Sequence, residues 1–261
     1  MRPTLVTSAW IVLTLSRAFS QSTAPSPAFE VASIKPNTSG DRGSRTNGTK
    51  GELTMTNTTL KGIIMGAYDV REYSFSGPDW LSSVRFDINA KYPPEESAQI
   101  SPEQRRLARR LMMQNLLAER FKLETHRETK MLPGYALLVA KKGAKLKPAE
   151  KPDGTSMSTS DTSLNGFGMT VANLANMLGS VLQGPVADMT GIDGRFDMKL
   201  EWSADDARRA GGGDGGEAKS PDTRPSIFTA LQETLGLRLE SRKVPVETLV
   251  VDRIERTPTE N

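Results

Sequence analysis

The chain has 261 residues, with 34 basic and 31 acidic side chains, one His and no Cys. A formal charge of +3 gives no general electrostatic case for nucleic acid. Without Cys, a thiol nucleophile, a thiolate zinc site and a disulfide framework are all excluded, so stability must come from burial.

Residues 1–20 read as a signal peptide. Arg2 supplies the positive start, Leu5 to Leu15 a compact apolar run, and Ala18 and Ser20 the small residues before a cut at Gln21. That run is shorter than the roughly 20 residues a membrane span needs. Cleavage removes Arg2 and Arg17, leaving 32 basic against 31 acidic groups and a charge of +1. The expected product is exported, with no stable membrane span after cleavage. Residues 21–28 read as a flexible leader.

A first lobe is expected over 29–150. "AFEVASIKP" alternates, which predicts a strand with Phe29, Val31 and Ile34 inward. Residues 37–51 form a polar, Gly-rich loop, and Asn37, Asn47 and Asn57 each begin an N-x-Ser/Thr sequon. After the short strand "GELTMT", Leu60, Ile63, Ile64, Ala67 and Tyr68 make one apolar helical stripe behind Thr caps. A Gly-Pro turn leads into "VRFDINAKYP", a strand with Phe86 and Ile88 inward and Asp87 on the other face. "RRLARRLMMQNLLAERF" predicts a helix with Leu107, Leu111 and Leu116 inward, followed by the strand "FKLETHRETK". A turn at Pro133 and a buried strand, "GYALLVAKKG", close the unit.

A linker at 151–163 leads to a second lobe at 164–258, which repeats this order. Aligning Met55 with Met169 places Leu60, Ile63, Ile64, Ala67 and Tyr68 on Leu174, Met177, Leu178, Val181 and Leu182. "QGPVA" and "GRFDMKLEWS" then match "SGPDW" and "VRFDINAKYP". Residues 203–225 read as a disordered insertion. After it, "ALQETLGLRLESRK", a turn at Pro245 and "ETLVVDRIER" complete the match. The expectation is an α+β fold of two similar lobes from an internal duplication. Each lobe reads helix-strand-helix-strand-strand with mostly antiparallel sheet.

Few residues carry chemistry. Asp87 and Asp197 occupy matched strand positions and, if the lobes face each other, form a pair for acid–base work or cation binding. Otherwise each pairs with a neighbouring Arg or Lys. His126 is flanked by Glu124 and Glu128 on one strand face, an arrangement that orients an imidazole. Its counterpart by the Glu124–Glu240 match is Arg242, which argues against a catalytic role. No G-x-S-x-G, S-x-x-K or H-E-x-x-H motif occurs. "GGGDGG" at Gly211 to Gly216 reads as linker rather than phosphate loop. Arg105, Arg106, Arg109 and Arg110 crowd one helix as candidate anion contacts, diluted by Glu95, Glu96 and Glu103. Trp80 and Trp202 are candidate binding aromatics or core residues. No metal or cofactor is called for.

"FEVASIKPN", "AYDVREYSFSGPDWL", "RFDINAKYP", "LLAERFKLETHRETKMLPGYALLVAKKGAKLK", "GRFDMKLEW" and "SIFTALQETLGLRLESRKVPVETLVVDRIERTPTEN" resemble an uncharacterised family of exported proteins abundant in soil bacteria. That family carries a domain of unknown function. The resemblance implies export and brings no catalytic residues. Similar domains are joined to membrane-embedded metallopeptidases of the antibiotic-sensor type, which implies sensing or binding outside the cytoplasm. "TLKGIIMGAYDV" is similar to a helix in the short N-terminal domain of secretins and TonB-dependent receptors, a likeness of fold alone. The expected role is a non-catalytic binding or sensing module of the bacterial cell envelope, its partner an envelope protein or polymer. The alternatives are a secreted hydrolase with convergent carboxylates and a structural part of an envelope assembly.

Overall fold

A computed structural model describes residues 27–41, 43–49, 51–94, 100–151, 154–203 and 224–259. The signal-peptide stretch, most of the leader, Glu95, Glu96, "GGGDGG" and most of the 203–225 insertion lie outside these residues. The strands are β1 (Val31–Pro36), β2 (Arg45–Gly48), β3 (Glu52–Thr59), β4 (Phe75–Ser76), β5 (Arg85–Lys91), β6 (Glu124–Val139), β7 (Lys147–Pro148), β8 (Ser156–Ser160), β9 (Ser163–Met169), β10 (Val186–Asp188), β11 (Phe196–Glu201) and β12 (Leu237–Arg253). The helices are α1 (Leu60–Tyr68), α2 (Pro102–Phe121), α3 (Val171–Val181) and a short α4 (Ile227–Ala230) that widens into a π turn at Leu231–Leu235. The fold is α+β with mostly antiparallel sheet.

Both matched helices form for the stated reasons. Thr59 caps α1 by accepting the Gly62 amide at 3.1 Å, and Thr170 caps α3 by accepting the Asn173 amide at 3.1 Å. Leu60, Ile63, Ile64 and Ala67 are buried in one core, and Leu174, Met177, Leu178 and Leu182 in the other. α2 starts on a capping box of Ser101 and Gln104 with Pro102 at its first position. Met113, Leu116, Leu117 and Phe121 face the first core. Running that stripe backwards by three or four residues reaches Arg109 and Arg106, so Leu107 is exposed rather than inward. Val31 is likewise exposed. β1 pairs Ile34 with Ile88, and the period of two that buries Ile34 turns Val31 outward.

Three four-stranded sheets organise the described residues, in orders β1-β5-β3-β2, β10-β6-β12-β4 and β7-β11-β9-β8. The middle sheet serves both lobes. Its spine is one antiparallel ladder of β6 against β12, from Glu124↔Arg253 to Val139↔Leu237. Each long strand crosses from one core to the other. Leu123, just before β6, packs in the first core and Leu137 in the second; Leu237 packs in the second and Leu249 in the first. Neither core is therefore built from a single stretch of sequence. Aligning Glu124 with Glu240 brings Lys130 onto Val246, and these two residues are themselves partners in the ladder.

The expected turns at Pro133 and Pro245 are absent, because β6 and β12 run straight through both prolines. Register explains why. Ala140 donates to Gly236 in the neighbouring segment, whereas the Tyr135 amide points the other way, to Pro185. Odd-numbered residues of β6 thus direct their amides away from β12. Pro133 and Met131, the partner of Pro245, share that parity. A missing N–H costs the ladder nothing at such positions.

Candidate functional site

The two Arg-Phe-Asp stretches do the same local work. In β3, Thr56 and Asn57 together oppose Asp87, since Met55 pairs with Ile88 and Thr58 with Phe86. In β9, Phe167 and Gly168 together oppose Asp197, since Gly166 pairs with Met198 and Met169 with Phe196. Each is a β-bulge, and its second residue is left-handed: Asn57 at φ 52°, Gly168 at φ 61°. Asp87 Oδ1 accepts the Asn57 amide at 2.8 Å while Arg85 donates to the Asn57 carbonyl at 2.7 Å. Asp197 Oδ1 accepts the Gly168 amide at 3.0 Å while Arg195 donates to the Gly168 carbonyl at 2.9 Å. Asp87 Oδ1 also accepts from the Asn37 carboxamide, and Asp197 Oδ2 accepts the Glu150 amide. The carboxylates belong to different sheets, and each holds a bulge rather than facing the other. Their partners are chiefly backbone amides, not the Arg or Lys side chains expected.

His126 takes its carboxylate from across the ladder rather than along its own strand. Nδ1 lies 2.7 Å from Asp252 Oδ1, both side chains being about half exposed. Glu124 sits 3.8 Å from Arg253, and Glu128 pairs with Lys130 at 2.7 Å. Arg105 donates to the Ile100 carbonyl, and Arg109 to the Thr49 carbonyl while its guanidinium stacks 4.1 Å over Tyr92. Trp202 is fully buried in the second core. Trp80 packs against the first core, with the Arg256 guanidinium 5.5 Å from its ring centre. Among the described residues no group of His, Asp and Glu is placed to hold a metal, and no helix is long and apolar enough to cross a membrane.

None of these residues lines a separate cleft that the structure forms. It has a volume of about 350 Å³ and opens between the lobes. Asp69, Arg71, Tyr73 and Ser74 come from the segment after α1, Asn176 from α3, and Pro185, Val186 and Ala187 from the entry to β10. Pro245, Val246 and Glu247, at the middle of the ladder, complete the wall. Tyr73 reaches across: a methyl group on Gly179 of α3 would meet its hydroxyl at 3.3 Å. Burial raises the Tyr73 phenol pKa above 10.0, and the nearby Arg71 charge opposes that rise.

The charges in the cleft divide into two groups. Asp69 pairs with Arg110 at 2.9 Å, and Glu247 pairs with Arg127. Among the described residues, by contrast, no hydrogen bond or ion pair engages the Arg71 guanidinium, the Tyr73 hydroxyl or the Asn176 carboxamide. Sequence reasoning missed all three. Arg71 and Tyr73 sit in "DVREYS", polar positions that neither the α1 stripe nor the following turn requires, and Asn176 lies on the polar face of α3.

A family profile described as protein of unknown function, DUF3738, matches residues 61–254. The chain belongs to the DUF3738 family. No curated protein and no solved structure matches it. The DUF3738 match begins in α1 and ends just beyond β12, so it takes in both Arg-Phe-Asp stretches, the whole β6–β12 ladder and every residue lining the cleft, while the Asn57 bulge lies just before it.

Proposed function

We propose that this DUF3738 protein is an exported, non-catalytic binding module of the bacterial cell envelope that takes its ligand in the cleft between the lobes. One observation carries the reading: Arg71, Tyr73 and Asn176, from two lobes, bring unengaged hydrogen-bonding groups to one concave site. The groups best suited to acid–base chemistry stand elsewhere, with Asp87 and Asp197 holding bulges and His126 paired on an open strand face. We read the two halves as copies of one ancestral unit. The shared bulge clamp and the equivalent caps of α1 and α3 support this. Export rests on the signal-like opening of the sequence.

The test is a thermal-shift screen of the purified chain against small polar and amphipathic molecules, run beside Ala187→Phe, which fills the cleft. Ligands that stabilise the parent and not the variant support the reading. A ligand that stabilises both equally, or substrate turnover abolished by Asp87→Asn, overturns it.

A further inference from the structure

Resting on the cleft as the binding site, the charge arrangement points further, and we infer that its ligand class is a small monocarboxylate. Two of the three charged residues lining the cleft already have partners of opposite sign from outside it, Asp69 with Arg110 and Glu247 with Arg127. Among the described residues, Arg71 is the one cation lining the cleft, and no carboxylate pairs with it. The uncompensated charge is therefore single and positive. A guanidinium presents paired N–H donors that match a carboxylate fork. The Tyr73 hydroxyl and the Asn176 amide add neutral donors, so the polar side offers three different donor groups to one anion.

The remaining lining adds no further cation, and most of the surface the cleft exposes is polar. Pro185, Val186 and Ala187 on one side and Pro245 and Val246 on the other have no further charge to offer. A ligand with a second anionic group would bring that group towards Asp69 or Glu247, and a cationic ligand would meet Arg71. A volume of about 350 Å³ suits a molecule of one ring or a short acyl chain rather than a polymer. The half-buried setting of Tyr73 strengthens each hydrogen bond made there.

The experiment titrates the full chain with benzoate, cyclohexanecarboxylate, benzamide and benzylamine by calorimetry, using the parent, Arg71→Met and Tyr73→Phe. Circular dichroism first checks that the variants fold; both substitutions leave the core residues untouched. Either carboxylate should bind about tenfold or more tighter than benzamide, and benzylamine should not bind. Arg71→Met should abolish the preference for carboxylate over amide, and Tyr73→Phe should weaken both. Equal binding of benzamide and benzoate, tighter binding of benzylamine, unchanged carboxylate binding in Arg71→Met, or no binding by either carboxylate each overturns the assignment. A neutral or cationic ligand blocked by Ala187→Phe would sink the carboxylate assignment and leave the cleft reading standing. A carboxylate that binds Ala187→Phe as well as the parent would sink both.

Discussion

Asp87 holds Asn57 by its amide at 2.8 Å while Arg85, two residues earlier on the same strand, holds Asn57 by its carbonyl at 2.7 Å. One strand thus grips both polar groups of the residue that breaks the pairing in its neighbour. A left-handed non-glycine residue costs of order 1–3 kcal/mol and persists only where its surroundings fix it. Asp87→Ala and Asp197→Ala should each lose about 1.5–3 kcal/mol, the range for hydrogen bonds to a charged acceptor. Urea denaturation measures this directly, and an unchanged midpoint in both variants would remove the clamp as a source of stability. Gly168→Ala should cost more, because its Cβ would come 2.3 Å from the Gly154 carbonyl at φ 61°.

Leu60 and Leu174, aligned by sequence, are both fully buried but lie in separate clusters. Truncating either to Ala should cost about 2–5 kcal/mol. Because the clusters share no buried residue, the double variant should lose the sum of the two within about 0.5 kcal/mol. Strong non-additivity in chemical denaturation would mean that the ladder couples the cores more tightly than the packing indicates.

The helical stripes were legible in sequence because burial repeats with the helix period, and Leu60, Ile63 and Ile64 report it directly. The strand role of Phe86 and Ile88 was legible for the analogous reason. Other features depend on pairing partners, which no local pattern specifies. Pro133 and Pro245 looked like breaks because a sequence does not reveal which edge of a strand its amides face. The work of Asp87 was hidden because its bulge lies thirty residues upstream, in another strand. The cleft was missed for a further reason: Arg71 and Asn176 are far apart in sequence and come together only in the folded chain.

Tyr73 gives the cleft a titration signature. Burial favours the neutral phenol, so the folded pKa stands above the ordinary 10.0. A raised pKa contributes stability that is complete below the unfolded value and is lost as pH rises through the folded one, so the effect belongs to the alkaline limb. Tyrosinate absorbance should show a late-titrating component that Tyr73→Phe removes. Arg71→Met should move that component still later, since the charge opposing the rise is gone. If the component stays in place in Arg71→Met, the guanidinium does not act on the phenol.

His126 and Asp252 form a surface pair, each side chain about half in solvent. Such pairs contribute about 0–1 kcal/mol. His126→Ala should therefore keep its melting curve close to that of the parent and should bind cleft ligands unchanged. A large loss of either would give the only histidine a part that its position does not suggest.

Gly134 ties the ladder to the cleft wall. It sits in β6 where Pro185, the residue leading into β10, approaches so closely that an added Cβ would lie 2.4 Å from the Pro185 carbonyl and 3.1 Å from Val244. That same carbonyl accepts the Tyr135 amide at 2.9 Å, the bond that seats Pro185 beside β6. Glycine inside a strand marks such close backbone approaches. Gly134→Ala must push Pro185 outward, which frees the Tyr135 amide and displaces Val186 and Ala187 from the cleft wall. Hydrogen exchange at Tyr135 should accelerate, and cleft ligands should bind more weakly even where the protein remains folded. Gly48→Ala is the control, since its Cβ would meet nothing within 4 Å on exposed β2 and should leave both readouts unchanged. Protection of Tyr135 that survives in Gly134→Ala would show that β10 can shift without leaving β6, and the cleft wall would then owe its position to α3 instead.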